Sequence, residues 1–342
     1  MLQRRLFGRR LFHRRLTTRR LGLFIGLIAS GIALSGCGLL GGGTATNVTP
    51  PPSGLSARIV DASLQTADGL TRTYRLFLPS ALNVPNPKPL PLLIALHGGF
   101  GAGSQFENNS GFDAVAAKEQ FIVAYPDGIG VGGTNVVRTW NGGRCCGPAA
   151  RKNVNDVAFI SQLIDTVQGQ YPVDSHRVFA AGHSNGGIMS YRLACELSNK
   201  IVGIGVQSGT LMLTPCNPAL PVSVIDIQGS ADQNVPIGGG VGPRGVSGAN
   251  FLPPIDAVTT LARADGCPAN PTKSVDPANS DIVTQSWQPC NAKSAADYVV
   301  VNGASHAWMG HSGGAPALTG APYMDFDSTA AIWGFLSAHP RP

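Results

Sequence analysis

The sequence predicts an α/β domain built on a mostly parallel sheet with helices on both faces. Short continuous apolar runs, such as residues 91–96 and 121–125, are typical of strands that are buried on both faces. Stretches with helical periodicity lie between such runs, and residues 156–168 place four aliphatic side chains on one stripe. This alternation of strand and helix favours a doubly wound parallel sheet.

The predicted elements follow from local pattern. Alternating apolar and polar residues on either side of Asp68-Gly69 predict an antiparallel hairpin at a sheet edge, Arg58–Gln65 with Thr71–Leu78. Further apolar runs predict strands at 177–181, 201–206, 222–227 and 298–301. Helices are predicted at 112–120, 156–168, 185–197, 255–264 and 328–338.

The first 55 residues predict export. Residues 1–20 contain eight Arg and no acid, residues 21–34 are apolar, and Leu34-Ser-Gly-Cys37 follows. This order is typical of a secretory signal, and its end is similar to the lipobox of bacterial lipoproteins. We therefore expect a signal peptide at 1–36, a lipid on Cys37 that anchors the protein extracytoplasmically to a membrane, a Gly/Thr/Pro-rich tether at 37–55 and one domain at 56–342. An uncleaved membrane anchor is the alternative.

The charge of the chain argues against a nucleic-acid partner. The formal net charge is +6, from 25 basic and 19 acidic side chains. Removing the eight arginines of residues 1–20 leaves 17 basic side chains against 19 acidic ones, a net charge of −2. The basicity therefore belongs to the export signal.

Six cysteines remain after Cys37, and an even number in an exported chain predicts disulfides. Cys267 and Cys290 flank one polar excursion, so we expect them to pair. The remaining expectation is that the adjacent residues Cys145 and Cys146 bridge to Cys195 and Cys216, in either order. Neither C-x-x-C nor His-rich spacing occurs, so we predict no metal site and no cofactor.

Two pentapeptides match the G-x-S-x-G pattern of a serine nucleophile: GHSNG at 182–186 and GHSGG at 310–314. A nucleophile turn needs a strand before it and a helix after it. Ser184 has both in prediction, whereas Ser312 lies between a segment too short for a strand and a Gly/Pro-rich stretch. Ser184 is therefore the predicted nucleophile, and an inert structural turn is the alternative.

A serine hydroxyl needs a histidine base, and the base needs an orienting carboxylate. Asp232 and His306 each come just after a predicted strand, which places them at the same sheet edge as Ser184. For the oxyanion we expect the backbone N–H of Asn185 and that of Gly99 or Phe100 in the HGGF segment.

The motifs of the domain resemble those of secreted polyhydroxybutyrate depolymerases and of the related feruloyl and acetylxylan esterases. They are LHGGFGAG, YPDG, TWNGGRCCG, NDVAFISQLID, GHSNGGIMSYRLACE, GSADQNVP and GASHAW. The resemblance implies an α/β-hydrolase fold, ester hydrolysis and the same three catalytic positions. It also suggests Trp308 and, less directly, Trp140 as substrate contacts, although core packing is an alternative for both.

The chain shows no further polymer-binding domain, so we expect soluble or oligomeric esters as substrates. The leading hypothesis is a serine esterase that acts on hydroxyalkanoates, and feruloyl or acetylxylan esters of plant cell walls are the alternative. A catalytically silent surface-binding lipoprotein and a peptidase on the same fold are the remaining hypotheses.

Overall fold

The computed structural model describes residues 56–131 and 137–342. The expected signal peptide, the lipid site at Cys37 and the tether lie outside the described residues. Across the described ranges, no helix combines the length and the apolar character that crossing a bilayer requires.

A ten-stranded sheet forms the centre of the fold, in the order β1-β2-β4-β3-β5-β6-β7-β12-β11-β10. The six central strands, from β4 to β12, run parallel, and antiparallel strands extend the sheet at both edges. The twelve described strands, two of which form a separate hairpin (β8–β9), are β1 Arg58–Gln65, β2 Thr71–Leu78, β3 Leu90–Leu96, β4 Ile122–Pro126, β5 Val173–His183, β6 Gly203–Gln207, β7 Ser223–Gly229, β8 Gly240–Val241, β9 Asn250–Phe251, β10 Thr272–Val275, β11 Ile282–Trp287 and β12 Ala296–Val301.

Helices cover both faces of the sheet. The described α-helices are α1 Gly103–Ser110, α2 Phe112–Glu119, α3 Gly147–Arg151, α4 Asp156–Gln170, α5 Asn185–Glu196, α6 Pro254–Ala264, α7 Pro316–Thr319 and α8 Ser328–Ala338. Side chains of α4, α5 and α6 pack on one face, and side chains of α1, α2 and α8 pack on the other. The predicted doubly wound α/β fold is confirmed.

The period of two along a strand explains how a continuous apolar run serves both faces. In β3, Leu92, Ile94 and Leu96 belong to the core beneath α4 and α5. Leu93 and Ala95 belong to the core beneath α1 and α2. All five side chains are fully buried, so neither face of the strand needs polar residues.

The predicted edge hairpin is confirmed, with Arg58 paired to Leu78 and Gln65 to Thr71. The opposite edge was missed: β10 and β11 lie within the excursion between Cys267 and Cys290, and β10 is exposed along its whole length. An exposed edge strand has no buried face, and its sequence therefore lacks the apolar alternation on which a prediction depends.

Two of the three disulfides differ from expectation. Cys267 pairs with Cys290 as predicted. Cys195 on α5 pairs with Cys216, and Cys145 pairs with its neighbour Cys146. The expectation that Cys145 and Cys146 bridge to the other two was wrong, because the Cα atoms of Cys195 and Cys216 already lie 5.0 Å apart, within the range that one bridge spans.

Candidate active site

Ser184 stands alone between β5 and α5, at the carboxyl edge of the sheet. Its backbone adopts φ 54° and ψ −118°, a conformation that a non-glycine residue rarely takes. Two hydrogen bonds hold the turn: the Ser184 N–H donates to the Gln207 carbonyl, and the Ile188 N–H donates to the Ser184 carbonyl, both at 2.9 Å. The side chain is thereby presented at the edge where the parallel strands end.

Glycine is required on both sides of this turn. A Cβ on Gly182 would overlap the backbone of Gly186, and a Cβ on Gly186 would overlap the Leu96 carbonyl oxygen. Backbone groups cannot give way as a flexible side chain can. The two glycines of GHSNG therefore let strand β5, helix α5 and the end of β3 meet at van der Waals distance.

The structure brings together the three residues that sequence reasoning placed at this edge. His306 Nε2 lies 2.8 Å from Ser184 Oγ, and His306 Nδ1 lies 2.7 Å from Asp232 Oδ2. Because the carboxylate can only accept, Nδ1 carries the imidazole proton and Nε2 accepts from the serine hydroxyl. His306 and Asp232 are 4 % and 5 % exposed, so the relay is shielded from water.

Asp232 is held as a carboxylate. Its Oδ1 accepts hydrogen bonds from the backbone N–H groups of Asn234 at 2.8 Å and Val235 at 2.9 Å, while Oδ2 faces His306. Burial raises the pKa of Asp232, but the contact with His306 and these two backbone donors outweigh burial and leave the pKa below its ordinary value.

A buried side chain, Gln207, and a half-buried one, His183, fix the His306 loop, and sequence reasoning assigned neither of them to the site. Gln207 Nε2 donates to the Ala307 carbonyl at 2.7 Å, and Gln207 Oε1 accepts from the Met309 N–H at 3.2 Å. His183 Nε2 lies 2.7 Å from the His306 carbonyl and donates to it. Gln207 also accepts from the Ser184 N–H through its own carbonyl, so one residue ties the nucleophile turn to the base loop. The signal in the sequence that could have identified Gln207 is a polar residue at the end of a buried strand.

His183 serves as a neutral donor. It is enclosed beside the triad, and burial lowers its pKa to about 4. A neutral imidazole that donates through Nε2 keeps Nδ1 unprotonated. His183 therefore supports the His306 backbone without placing a positive charge next to the His306 imidazole.

The candidate oxyanion donors are placed unequally. The Phe100 N–H already donates to the Arg138 carbonyl at 2.8 Å, so the expectation that it faces an oxyanion does not hold in this structure. Gly99 lines the cleft beside Asn185: a Cβ on Gly99 would lie 3.8 Å from the Asn185 Cβ. Asn185 begins α5, where backbone N–H groups lack helical partners. Gly99 and Asn185 remain the candidate donors.

The HGG segment is anchored from below. His97 is fully buried; its Nδ1 donates to the Gly98 carbonyl at 2.7 Å, and its Nε2 accepts from the Gly128 N–H at 3.0 Å. Burial lowers the pKa of His97 to about 4. Trp140 Nε1 donates to the His97 carbonyl at 3.0 Å. These bonds fix the loop that carries Gly99.

Trp140 itself does not reach the cleft. Its side chain is 0 % exposed, and its backbone N–H and carbonyl are both bound by the Asn185 side-chain amide, at 2.7 and 3.0 Å. The expectation of substrate contact through Trp140 is therefore wrong, and the residue supports the HGG segment instead. Trp308 is among the residues that line the cleft, but it is 4 % exposed and donates through Nε1 to the Thr329 hydroxyl.

A cleft of about 760 Å³ opens over Ser184 and His306. Its apolar lining includes Phe106, Ile188, Val235 and Phe251, and the disulfide-bonded Cys146 lies at its wall. A mostly apolar cleft with a few polar groups at one point is typical of a small-molecule site.

Comparison with known proteins agrees with this geometry. The family described as "Putative esterase" matches residues 67–318, most of the chain. The "Putative esterase NocK" of Nocardia uniformis subsp. tsuyamanensis is 29% identical over 283 residues, which cover 78% of this chain and 80% of that protein. "Feruloyl esterase B" of Piromyces equi is 29% identical over 228 residues, 64% of this chain and 40% of that longer protein.

Among solved structures, an acetyl xylan esterase from Aspergillus awamori superposes with a TM-score of 0.52 at 13% identity. The match covers 72% of this chain and 94% of that one, and it establishes a shared fold. With the family match over residues 67–318, these findings show that the chain belongs to this esterase family and is an ester hydrolase of the α/β-hydrolase fold.

Proposed function

We propose that the protein hydrolyses carboxylic esters through an acyl-enzyme on Ser184. The observation that carries the proposal is the position of the His306 imidazole, 2.8 Å from the Ser184 hydroxyl and 2.7 Å from the Asp232 carboxylate. This is the arrangement in which histidine takes the serine proton as the oxygen attacks an ester carbonyl.

The proposed sequence of steps uses residues of this chain alone. Ser184 Oγ bonds to the carbonyl carbon while His306 Nε2 takes its proton, and the oxyanion is stabilised by the N–H groups of Gly99 and Asn185. His306 then protonates the leaving alcohol. A water molecule, deprotonated by His306, attacks the acyl-enzyme and releases the acid.

For the substrate we propose feruloyl or acetyl esters of the kind found on plant polysaccharides. The support is the names of relatives: feruloyl esterase B and a bifunctional acetylxylan esterase/xylanase both match this chain. The hydroxyalkanoate hypothesis has no counterpart among the relatives described here.

We also propose that the protein acts outside the cytoplasm, anchored by a lipid on Cys37. Three disulfides in one domain are typical of oxidising compartments. Metabolic labelling with a fatty-acid probe tests the anchor: the wild-type protein takes the label and Cys37→Ala does not. An unlabelled wild-type protein contradicts the lipid anchor.

A substrate panel tests the activity and its class together. The panel compares 4-nitrophenyl acetate, methyl ferulate, acetylated xylan, hydroxybutyrate oligomers and casein. We expect hydrolysis of the nitrophenyl ester with a burst of nitrophenol, and higher kcat/KM for methyl ferulate or acetylated xylan than for the oligomers. Failure to hydrolyse any ester would favour the silent surface-binding hypothesis, and cleavage of casein would favour the peptidase.

A further inference from the structure

The walls of the active-site cleft carry charge of one sign. Three arginines line it, Arg138, Arg151 and Arg244, and no aspartate or glutamate of the described residues does so. The chain beyond the first 55 residues has a net charge of −2. The domain as a whole is slightly acidic. The cleft that contains Ser184 and His306 is nevertheless lined by basic side chains and, among the described residues, by no acidic ones. Such a cleft concentrates anionic ligands.

Two of these three arginines have no acidic partner among the described residues. Arg138 Nε lies 3.6 Å from an oxygen of Asp127, so its charge is partly compensated. Arg151 and Arg244 form no ion pair with any residue in the described ranges. Their positive charges are thus free to act on a ligand, and the pair comes from separate segments of the chain, the end of α3 and the β8–β9 connection.

Arg244 is fixed next to the loop of the catalytic acid. The backbone N–H of Arg244 donates to the Gln233 carbonyl at 3.0 Å, and Gln233 directly follows Asp232. The Arg244 side chain donates through Nη2 to the Ala317 carbonyl in helix α7. A guanidinium has five N–H donors, so one bond to a carbonyl leaves most of its donors for another acceptor.

The remainder of the lining suits the uncharged part of such a ligand. Val235, which follows Asn234 in the sequence, packs with Ile188 and Phe251 in one apolar cluster. All four residues line the cleft. A ligand that matches both features has an apolar body at Ser184 and an anionic end at the arginines. The planar guanidinium fork matches a carboxylate with two parallel hydrogen bonds.

We infer that the enzyme selects esters that carry a carboxylate at the end remote from the scissile bond, with Arg244 and Arg151 as the residues that recognise it. The inference rests on the proposed ester hydrolysis at Ser184 and narrows its substrate class. The carboxylate belongs to either the acid half or the alcohol half of the ester, and the experiment separates these sources.

The experiment compares matched esters that differ by one charge. Monomethyl adipate and methyl adipamate test a carboxylate on the acid half; 6-acetoxyhexanoate and 6-acetoxyhexanamide test one on the alcohol half. We expect kcat/KM to favour the carboxylate in at least one pair. Arg244→Gln and Arg151→Gln should each reduce that preference about 2- to 5-fold, as is typical of an exposed ion pair.

Three controls keep the result interpretable. Arg263→Gln removes the same charge from the exposed end of α6, outside the cleft lining, and should leave the preference intact. Arg244→Lys retains the charge and should keep a larger share of the preference than Arg244→Gln. Raising the salt concentration should reduce the preference in the wild type, because partly exposed charges are screened.

The outcomes separate the two proposals. Equal kcat/KM for carboxylate and amide in both pairs, or a preference that both arginine variants retain, contradicts the inference while leaving ester hydrolysis intact. If neither member of any pair nor 4-nitrophenyl acetate is hydrolysed, the proposed function itself fails. Thermal melts of each variant show whether a loss of the carboxylate preference reflects unfolding. If Arg244→Gln is unfolded, the preference of Arg244→Lys is compared with that of the wild type instead.

Discussion

The two GHS-x-G segments share four of five residues and yet are placed very differently in the fold. Ser184 lies between a buried strand and a twelve-residue helix. Ser312 lies on an exposed loop that leads into the short helix α7. A Cβ on Gly186 would overlap backbone, whereas a Cβ on Gly314 would meet no atom within 4 Å. A Cβ on Gly310, the first glycine of the second segment, would also meet backbone, at Asp327, so the crowding around the two segments differs at their last glycine.

The charged neighbours differ as well. The second segment has its own imidazole–carboxylate pair, His311 Nε2 with Asp327 Oδ1 at 3.4 Å, with the side chains 26% and 50% exposed. The pair at the first segment, His306 with Asp232, is 2.7 Å long and nearly enclosed. An imidazole–carboxylate pair interacts strongly only when the distance is short and water is excluded. Both segments have a serine, a histidine and an acid near one another, so proximity alone does not distinguish them.

The largest contrast is expected at the serines. Ser184→Ala should lower kcat for a nitrophenyl ester by about 10⁴- to 10⁶-fold, because the nucleophile is lost. Ser312→Ala should change kcat less than about twofold, as an exposed loop serine bears no catalytic contact. Initial rates of both variants at saturating substrate measure the contrast. Comparable losses in the two variants would contradict our choice of nucleophile.

The carboxylates of Asp232 and Asp327 test the same difference between the two segments. Asp232→Asn should lower kcat by about 10⁴-fold, because an amide can stabilise the wrong tautomer of His306. Asp327→Asn should leave kcat close to wild type, and Asn is as good a helix cap as the Asp327 that now caps α8. Steady-state kinetics of the two variants provide the measurement, and a larger loss in Asp327→Asn would be inconsistent with the assigned acid.

Asp232 also predicts a pH dependence of stability. Its pKa is lower in the folded protein than in the unfolded chain, so its ionised form stabilises the fold above the ordinary carboxyl pKa. That stabilisation is lost as the pH falls through the lowered folded pKa. Denaturant melts of wild type and Asp232→Asn should therefore differ most near neutral pH and converge in acid. A difference that grows as the pH falls would refute the assignment of charge.

Far less of the site than of the fold could be predicted from local pattern. Apolar runs predict the central strands, such as β3, and apolar stripes with helical spacing predict the long helices, such as α4. Asp232 and His306 could be assigned because each follows a strand that ends at the same edge. The assignments of Asp232, His306 and Ser184 all use the order of strands and loops along the chain, and the fold brings those loops together at one edge of the sheet.

Other features depend on contacts between segments that lie far apart in the sequence. Gln207 is an ordinary polar residue in sequence, and its role appears only when the loops of Ser184 and His306 meet it. Arg151 and Arg244 are 93 positions apart and share a cleft only after folding.

The glycines offer a contrast in stability. Gly186→Ala should cost about 3 kcal/mol, because its Cβ meets backbone at Leu96 that cannot shift without disturbing the sheet. Gly314→Ala should cost about 1 kcal/mol, since only its φ of 119° is unfavourable for alanine. Urea unfolding of the two variants compares these costs. Equal costs would mean that the first turn is no more constrained than the second.

The smallest contrast is expected at the histidines. His183→Leu leaves the His306 carbonyl without its donor and should lower kcat about tenfold with little change in KM, because the base loop is less firmly placed. His311→Leu loses one exposed 3.4 Å contact and should cost about 0.5 kcal/mol of stability or less. Kinetics and melts of both variants, with Gln207→Ala as a second change at the same loop, measure the difference.

The central claim is that one serine of the two is activated, and covalent labelling tests it most directly. A fluorophosphonate probe is incubated with the wild-type protein, and the modified peptide is identified by mass spectrometry. We predict one probe per protein, on the peptide that contains Ser184, and no labelling once Ser184 is replaced by alanine. A probe found on Ser312, or a wild-type protein that stays unlabelled, would contradict the account.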